Sequence, residues 1–212
     1  MRNYFVHHSR LTEALSRHCV ILGVSVAISV LVASVITLLL LGAKKRTAAA
    51  ALRALGAVYA IPSLALFSLL IPVLGLGLQT AVFVLVLYNQ FLLVRNFLAG
   101  LSAVDDAVVE AAVGIGMSPA QVLAKIKVPL AFPAIMAGIR LAVISTIGIG
   151  TIAAIINAGG IGALLFDGLR TMNMAKIIWG AILAAGLAIF ANAALEAAER
   201  AVCKKLHCGE AA

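Results

Sequence analysis

The chain has 212 residues, 64% of them hydrophobic and 11% charged, with a mean hydropathy of +1.15, against about 25% charged residues in an ordinary soluble domain. A soluble core of this size cannot hide that much apolar surface, so the composition excludes a soluble domain and leaves an integral helical membrane protein folded as one bundle. The net charge of +8 does not point to nucleic acid, because the basic residues punctuate the ends of apolar runs instead of lining a solvated face.

Residues 1–18, MRNYFVHHSRLTEALSRH, are too long and too polar for the charged start of a signal peptide, and no small-residue cleavage site follows the first apolar run. They are expected to be an extracytoplasmic segment, and the run after them to stay as a first span over about 19–42, ended by Lys44, Lys45 and Arg46. A second span is expected over 48–73. Arg53 lies near enough to its start to snorkel to the interface. Pro62 interrupts its hydrogen-bond ladder, which neighbouring helices must then satisfy, and Pro72 helps to end it.

Gly75 and Gly77 make a short turn before a third span over 78–98, which carries Tyr88, Asn89, Gln90 and Arg95. Polar groups there serve either interhelical hydrogen bonding or the lining of a polar path. A fourth span over 130–157 contains Arg140, which either snorkels toward the interface or bonds a neighbouring span. The glycine-rich stretch after it is too short to cross and reads as an interfacial or re-entrant helix, with Asp167 suited to cap it or, less readily, to contact a partner on the outer side. A fifth span covers 175–195, and 201–212 form a tail.

Five crossings put the termini on opposite sides. With 105–129 inside, Lys44, Lys45, Arg46, Arg53, Arg95, Lys125, Lys127, Arg200, Lys204 and Lys205 fall on the cytoplasmic side, against Arg2, Arg10, Arg17, Arg170 and Lys176 outside. Positive charge therefore favours an outside N-terminus and a cytoplasmic C-terminus. Cys19, Cys203 and Cys208 form no regular framework; Cys203, His207 and Cys208 lack a fourth ligand, so no metal site is expected.

The one long polar passage is 105–129, DDAVVEAAVGIGMSPAQVLAKIKVP. Asp105 and Asp106 suit a helix start, and Gly114 and Gly116 a stop. Ser118 as N-cap, Pro119 at the first helical position and Gln121 closing a capping box open a second helix. Pro129 marks a boundary before the next span. The passage reads as a stiff bracket in water, able either to lie on the bilayer surface or to be gripped by a partner.

Glu110, Ala111 and Ala112, then Gly116, Ile126 and Pro129, fall at the spacing EAA-x3-G-x9-I-x-L-P, with Val128 in place of leucine. This resembles the EAA motif of binding-protein-dependent ABC importer permeases. IPSLALFSLLIPVLGLG, VPLAFPAIMAGIRLA and TIAAIINAGGIGALLFDGL are similar to the permeases of quaternary-amine importers for glycine betaine, carnitine or choline. The resemblance covers about 19–195.

It implies an all-α, five-span bundle of the type I importer (MetI-like) kind, with a permease domain over 19–200 in the cytoplasmic membrane. Residues 105–129 become its coupling helix, with Glu110, Ala111, Ala112, Gly116, Met117, Ser118, Pro119, Ile126 and Pro129 at the ATPase contact. No cofactor is implied on this chain and no catalysis; ATP and magnesium belong to separate cytoplasmic ATPase subunits. A second permease chain and an extracytoplasmic substrate-binding protein complete the expected assembly.

Aromatic cages recognise quaternary ammonium ions, and the aromatic residues here look scattered, which moves high-affinity recognition to the binding protein. Tyr59, Pro62, Ser63, Asn89 and Gln90 are the candidates for the translocation path, each with a packing explanation beside it. The alternatives are a permease for another small solute, ergothioneine or methionine-like, or a secondary transporter. Against the last stand the absence of a mid-span carboxylate or histidine to relay a proton and of an evident inverted repeat. No residue set at reactive spacing suggests an intramembrane enzyme.

Overall fold

In the computed structural model the described residues are 8–206. The first helix, α1 (His8–Leu41), is 34 residues long, about 51 Å at the standard rise. It begins within the stretch expected to precede the span, because LTEALSR is itself a good helical sequence, with Glu13 and Arg17 paired one turn apart at 3.2 Å. Its buried residues, His18, Ile21, Ser25, Ser29, Ala33 and Thr37, recur every three or four positions. This stripe is mostly small or hydroxylated and permits close helix approach in a bilayer, where lipid supplies no hydrophobic drive to association. Leu31 and Leu39 face outward.

The expected second span is two helices. α2 (Lys45–Ala60) and α3 (Ser63–Leu74) are bent by 92° at Ile61 and Pro62. Pro62 interrupts the ladder as expected, but the result is a sharp corner and not a kink. Pro72, expected to help end the span, lies inside α3.

α4 (Leu78–Ser102) is the central helix, buried on most of its circumference and packed against α1, α2, α3 and α7. α7 (Val128–Ile152) crosses it closely. A Cβ on Gly100 would lie 2.6 Å from that of Ala134, and one on Gly138 would lie 2.8 Å from that of Asn96. After a short 3-10 turn over Ala153–Ile156, Asn157 adopts a left-handed conformation. α8 (Ile161–Arg170) then takes the place expected for an interfacial or re-entrant helix.

α9 (Met174–Leu206) continues well past the expected end of the last span. Leu165 of α8 packs over Gly180, while most other α9 side chains face outward. The apolar core has two parts. One surrounds Phe67, Leu85, Tyr88 and Ile156, and the other surrounds Ala33, Leu93, Phe97 and Ala142.

Among the described residues four helices are long and apolar enough to cross a membrane, and the bent α2–α3 pair makes a fifth if it counts as one span. His207 and Cys208, considered above as metal ligands, and Arg2 lie outside the described residues.

Candidate functional site

The polar passage forms a bracket below α4 and α7. Asp105 accepts the Ala107 backbone N–H at 2.9 Å and caps α5 (Asp106–Gly114). α5 stops where Gly116 takes a φ of +88°, a left-handed value that other L residues adopt only under strain. There is open space around that glycine, so its requirement is conformational and not steric. Ser118 then opens α6 (Pro119–Val122) with a complete capping box. Its N–H donates to Gln121 Oε1 at 2.8 Å, and its Oγ accepts the Gln121 N–H.

Pro129 does not separate this helix from the next. Pro119–Ile156 is one helical run, widened to a π turn over Leu123–Lys127 just before the proline. Pro129 has no N–H to return to the preceding turn, and its ring would crowd a carbonyl in a regular α-helix. The wider turn absorbs both effects. The bracket is therefore continuous with α7.

Ala112 and Val122 anchor the bracket inward. Glu110, Ala111, Gly116, Ser118 and Pro119 are exposed, and Met117, Ile126 and Pro129 are half-buried. Val113 and Ile115 are 57% and 82% exposed. The sequence reading passed over both residues, since apolar side chains look unremarkable in this chain; their position in a loop outside the core sets them apart.

Asn89 and Gln90 lie between the two apolar clusters. The Asn89 amide donates to Ser29 Oγ at 3.2 Å and to Thr146 Oγ1 at 2.9 Å, and so joins α4 to α1 and α7. Gln90 donates to the Val86 carbonyl at 3.0 Å and to that of Ser29 at 3.4 Å. Ser29 and Thr146 were invisible as partners because each is far from Asn89 in sequence.

Tyr59, Pro62 and Ser63 stand apart from that layer, at the corner between α2 and α3. There the Tyr88 hydroxyl donates to the Ile61 carbonyl, which the break leaves without its helical partner. The aromatic residues are not wholly scattered. The Tyr59 ring lies 5.6 Å from that of Tyr88 and 5.3 Å from that of Phe91, with Arg95 over Phe91. At those contact distances the rings fill one another's faces and leave no room between them for a ligand.

One further expectation changes, at Asp167, while at Arg140 the partner on a neighbouring span is the alternative found. Asp167 lies inside α8, where it pairs with Lys176 of α9 at 2.6 Å instead of capping the helix. Arg140 meets Glu199 of α9 at 3.1 Å. Glu199 was read as lying beyond the last span, and only the extended α9 brings it alongside α7.

Residues 25–207 match the family model "Binding-protein-dependent transport system inner membrane component". The choline transport system permease protein OpuBB of Bacillus subtilis (strain 168) is 37% identical over 186 residues, 88% of this chain and 82% of the relative. The ergothioneine transport permease/ergothioneine binding protein EgtU of Helicobacter pylori (strain G27) is 40% identical over 134 residues, 63% of this chain; the match spans only 24% of that longer protein. Among solved structures, the inward-facing MetNI methionine ABC transporter superposes with a TM-score of 0.83 over 92% of this chain and 97% of that one, at 19% identity. That last likeness establishes the fold alone. The chain belongs to the family of binding-protein-dependent transport system inner membrane components, the permease subunits of ABC importers.

Proposed function

We propose that the bracket over 105–129 is the surface through which this permease is driven by a separate cytoplasmic ATPase, and that the transported solute carries a trimethylammonium group. The observation that carries the first part is the bracket itself. It presents Glu110, Val113 and Ile115 away from the core on a backbone fixed by the Asp105 cap, the Gly116 turn and the Ser118 box. A loop left to solvate itself gains nothing from exposed Val113 and Ile115, whereas a protein groove can bury both. ATP and magnesium belong to that partner. Because α6 runs into α7 without a break, a displacement of the bracket is delivered to the bundle as movement of a rigid helix, the two-state element that alternating access requires.

The substrate class rests on the relatives. Choline and ergothioneine, named for two of them, share a trimethylammonium group, and glycine betaine and carnitine carry it too. With the Tyr59, Tyr88 and Phe91 rings closed on one another, high-affinity selection falls to a substrate-binding protein on the outside. The permease provides the path, with the corner at Tyr59, Pro62 and Ser63 as its candidate lining and a second permease chain opposite. Asn89 and Gln90, already bonded to α1 and α7, take the packing role. The bias of positive charge favours an outside N-terminus and a cytoplasmic C-terminus.

Uptake of labelled choline, glycine betaine, carnitine and ergothioneine by a strain lacking this chain, with and without it restored, tests the proposal. Energised uptake of at least one, lost when the partner ATPase is inactivated, is expected. No response to any of the four rejects the substrate class, and uptake indifferent to the ATPase rejects the drive.

A further inference from the structure

Two ion pairs, Glu13 with Arg17 and Glu196 with Arg200, lie one turn apart on a single helix. Two others fasten α9 to its neighbours. Lys176 near its start pairs with Asp167 of α8, and Glu199 near its end pairs with Arg140 of α7. α9 needs such fastening, since its most apolar window is only 6% buried in the bundle, against 50% for α4.

The Arg140–Glu199 contact is the more enclosed of the two, with side-chain exposures of 26% and 15%. At 3.1 Å it is a charge–charge contact rather than an aligned hydrogen bond. Removing either partner strands a half-buried charge, which costs far more than a surface pair. Arg140 also sits on the helix that carries the bracket, about 20 Å of helical rise beyond the π turn. Between the two, Gly138 and Ala131 pack tightly against α4. Glu196, one turn before Glu199, is satisfied by Arg200 on its own helix, so the crossing to α7 belongs to Glu199.

We propose that Arg140 and Glu199 are positioning residues for coupling: they lock the middle of the bracket-bearing helix α7 to the C-terminal part of α9, so that displacement of the bracket carries α9, and α8 through Asp167 and Lys176, with it. This rests on the coupling role proposed above. A pair serving only as glue would change how much complex assembles; a transmitting joint changes how much solute moves for each ATP consumed.

The test uses the whole transporter, isolated from its native membrane through a tag on this chain and reconstituted in vesicles. Labelled choline uptake and ATP hydrolysis are measured on the same sample. Arg140→Gln and Glu199→Gln are each expected to lower choline moved per ATP about tenfold, within the range of known coupling perturbations, and the exchanged pair Arg140→Glu with Glu199→Arg to recover most of that loss. A ratio equal to wild type in both single variants, whatever their yield, overturns the joint. So does an exchanged pair that stays as low as the single variants.

If a single variant assembles too poorly to assay, spin labels at Ala124 and Ala197 in a cysteine-free permease decide the matter. A narrow distance distribution that broadens in Glu199→Gln supports the joint, and an unchanged one overturns it. Wild-type complex that hydrolyses ATP without moving choline, glycine betaine, carnitine or ergothioneine rejects the proposed substrate class, and is recognised as such because it appears before any substitution.

Discussion

Two regions depart from the apolar character of this chain, and they do so in opposite directions. Around Asn89 the polar groups turn inward and find their partners within the protein, on α1 and α7. Around Glu110 and Gly116 a polar Glu110 and apolar Val113 and Ile115 alike turn outward, and the bonds that exist there, at Asp105 and Ser118, serve only to fix the backbone. A polar residue in a membrane protein is therefore informative through where its bonds close. Those closed inside specify packing, and surfaces left open on a rigid frame are addressed to another molecule.

The sharpest way to break that contrast is at the open region. Glu110→Lys and Gly116→Asp are expected to abolish solute uptake, while the chain still inserts. For exposed Glu110→Lys, the thermal stability of the isolated permease should stay within about 0.5 kcal/mol of wild type. Uptake assays paired with membrane fractionation and solubilised melting curves check this. Normal uptake in either variant removes the bracket from the coupling assignment.

The closed region should respond in the reverse manner. Asn89→Leu deprives Ser29 and Thr146 of their shared partner in a site fully enclosed by helices, and a loss of about 1–3 kcal/mol is expected. Uptake should fall only as far as the amount of folded protein falls. A variant of full stability that nevertheless loses transport would return Asn89 to the translocation path. Tyr88→Phe is a milder version. It removes the hydroxyl that meets the Ile61 carbonyl at the corner and keeps the ring against Tyr59, so about 1 kcal/mol is expected. A melting curve of the solubilised protein measures it.

The prolines show how much of this was legible beforehand. The bracket's caps and stop are local, set by residues within three or four positions of each other, and they stand where the spacing put them. Pro62 and Pro129 are equally conspicuous in sequence, yet one sits at a 92° corner and the other lies within a continuous helix. The difference comes from partners. At Pro62 a tyrosine from α4 catches the freed carbonyl, and at Pro129 a wider turn removes the conflict. Arg140 taught the same lesson, since its partner Glu199 lies 59 positions away, on a helix whose length was underestimated. Periodicity carries information over one or two turns and says little about which distant helix supplies the missing bond.

Asp105 offers the smallest effect and the finest test, because it is a locally satisfied group inside the open region. If location alone decided function, Asp105→Ala would behave like Glu110→Lys. If bond closure decides, it should behave like a lost cap. α5 has 9 residues, too few to hold itself as an isolated helix, so losing a cap worth about 1 kcal/mol should fray its first turn. Faster hydrogen exchange at the Ala107 to Val109 amides is expected, with reduced uptake and unchanged insertion. Asp105→Asn retains an oxygen that can accept the same N–H and should restore both exchange and uptake. Restoration would mean that the carboxylate's charge has no part in the contact with the ATPase, and that Asp105 acts by holding in place the helix that carries Glu110.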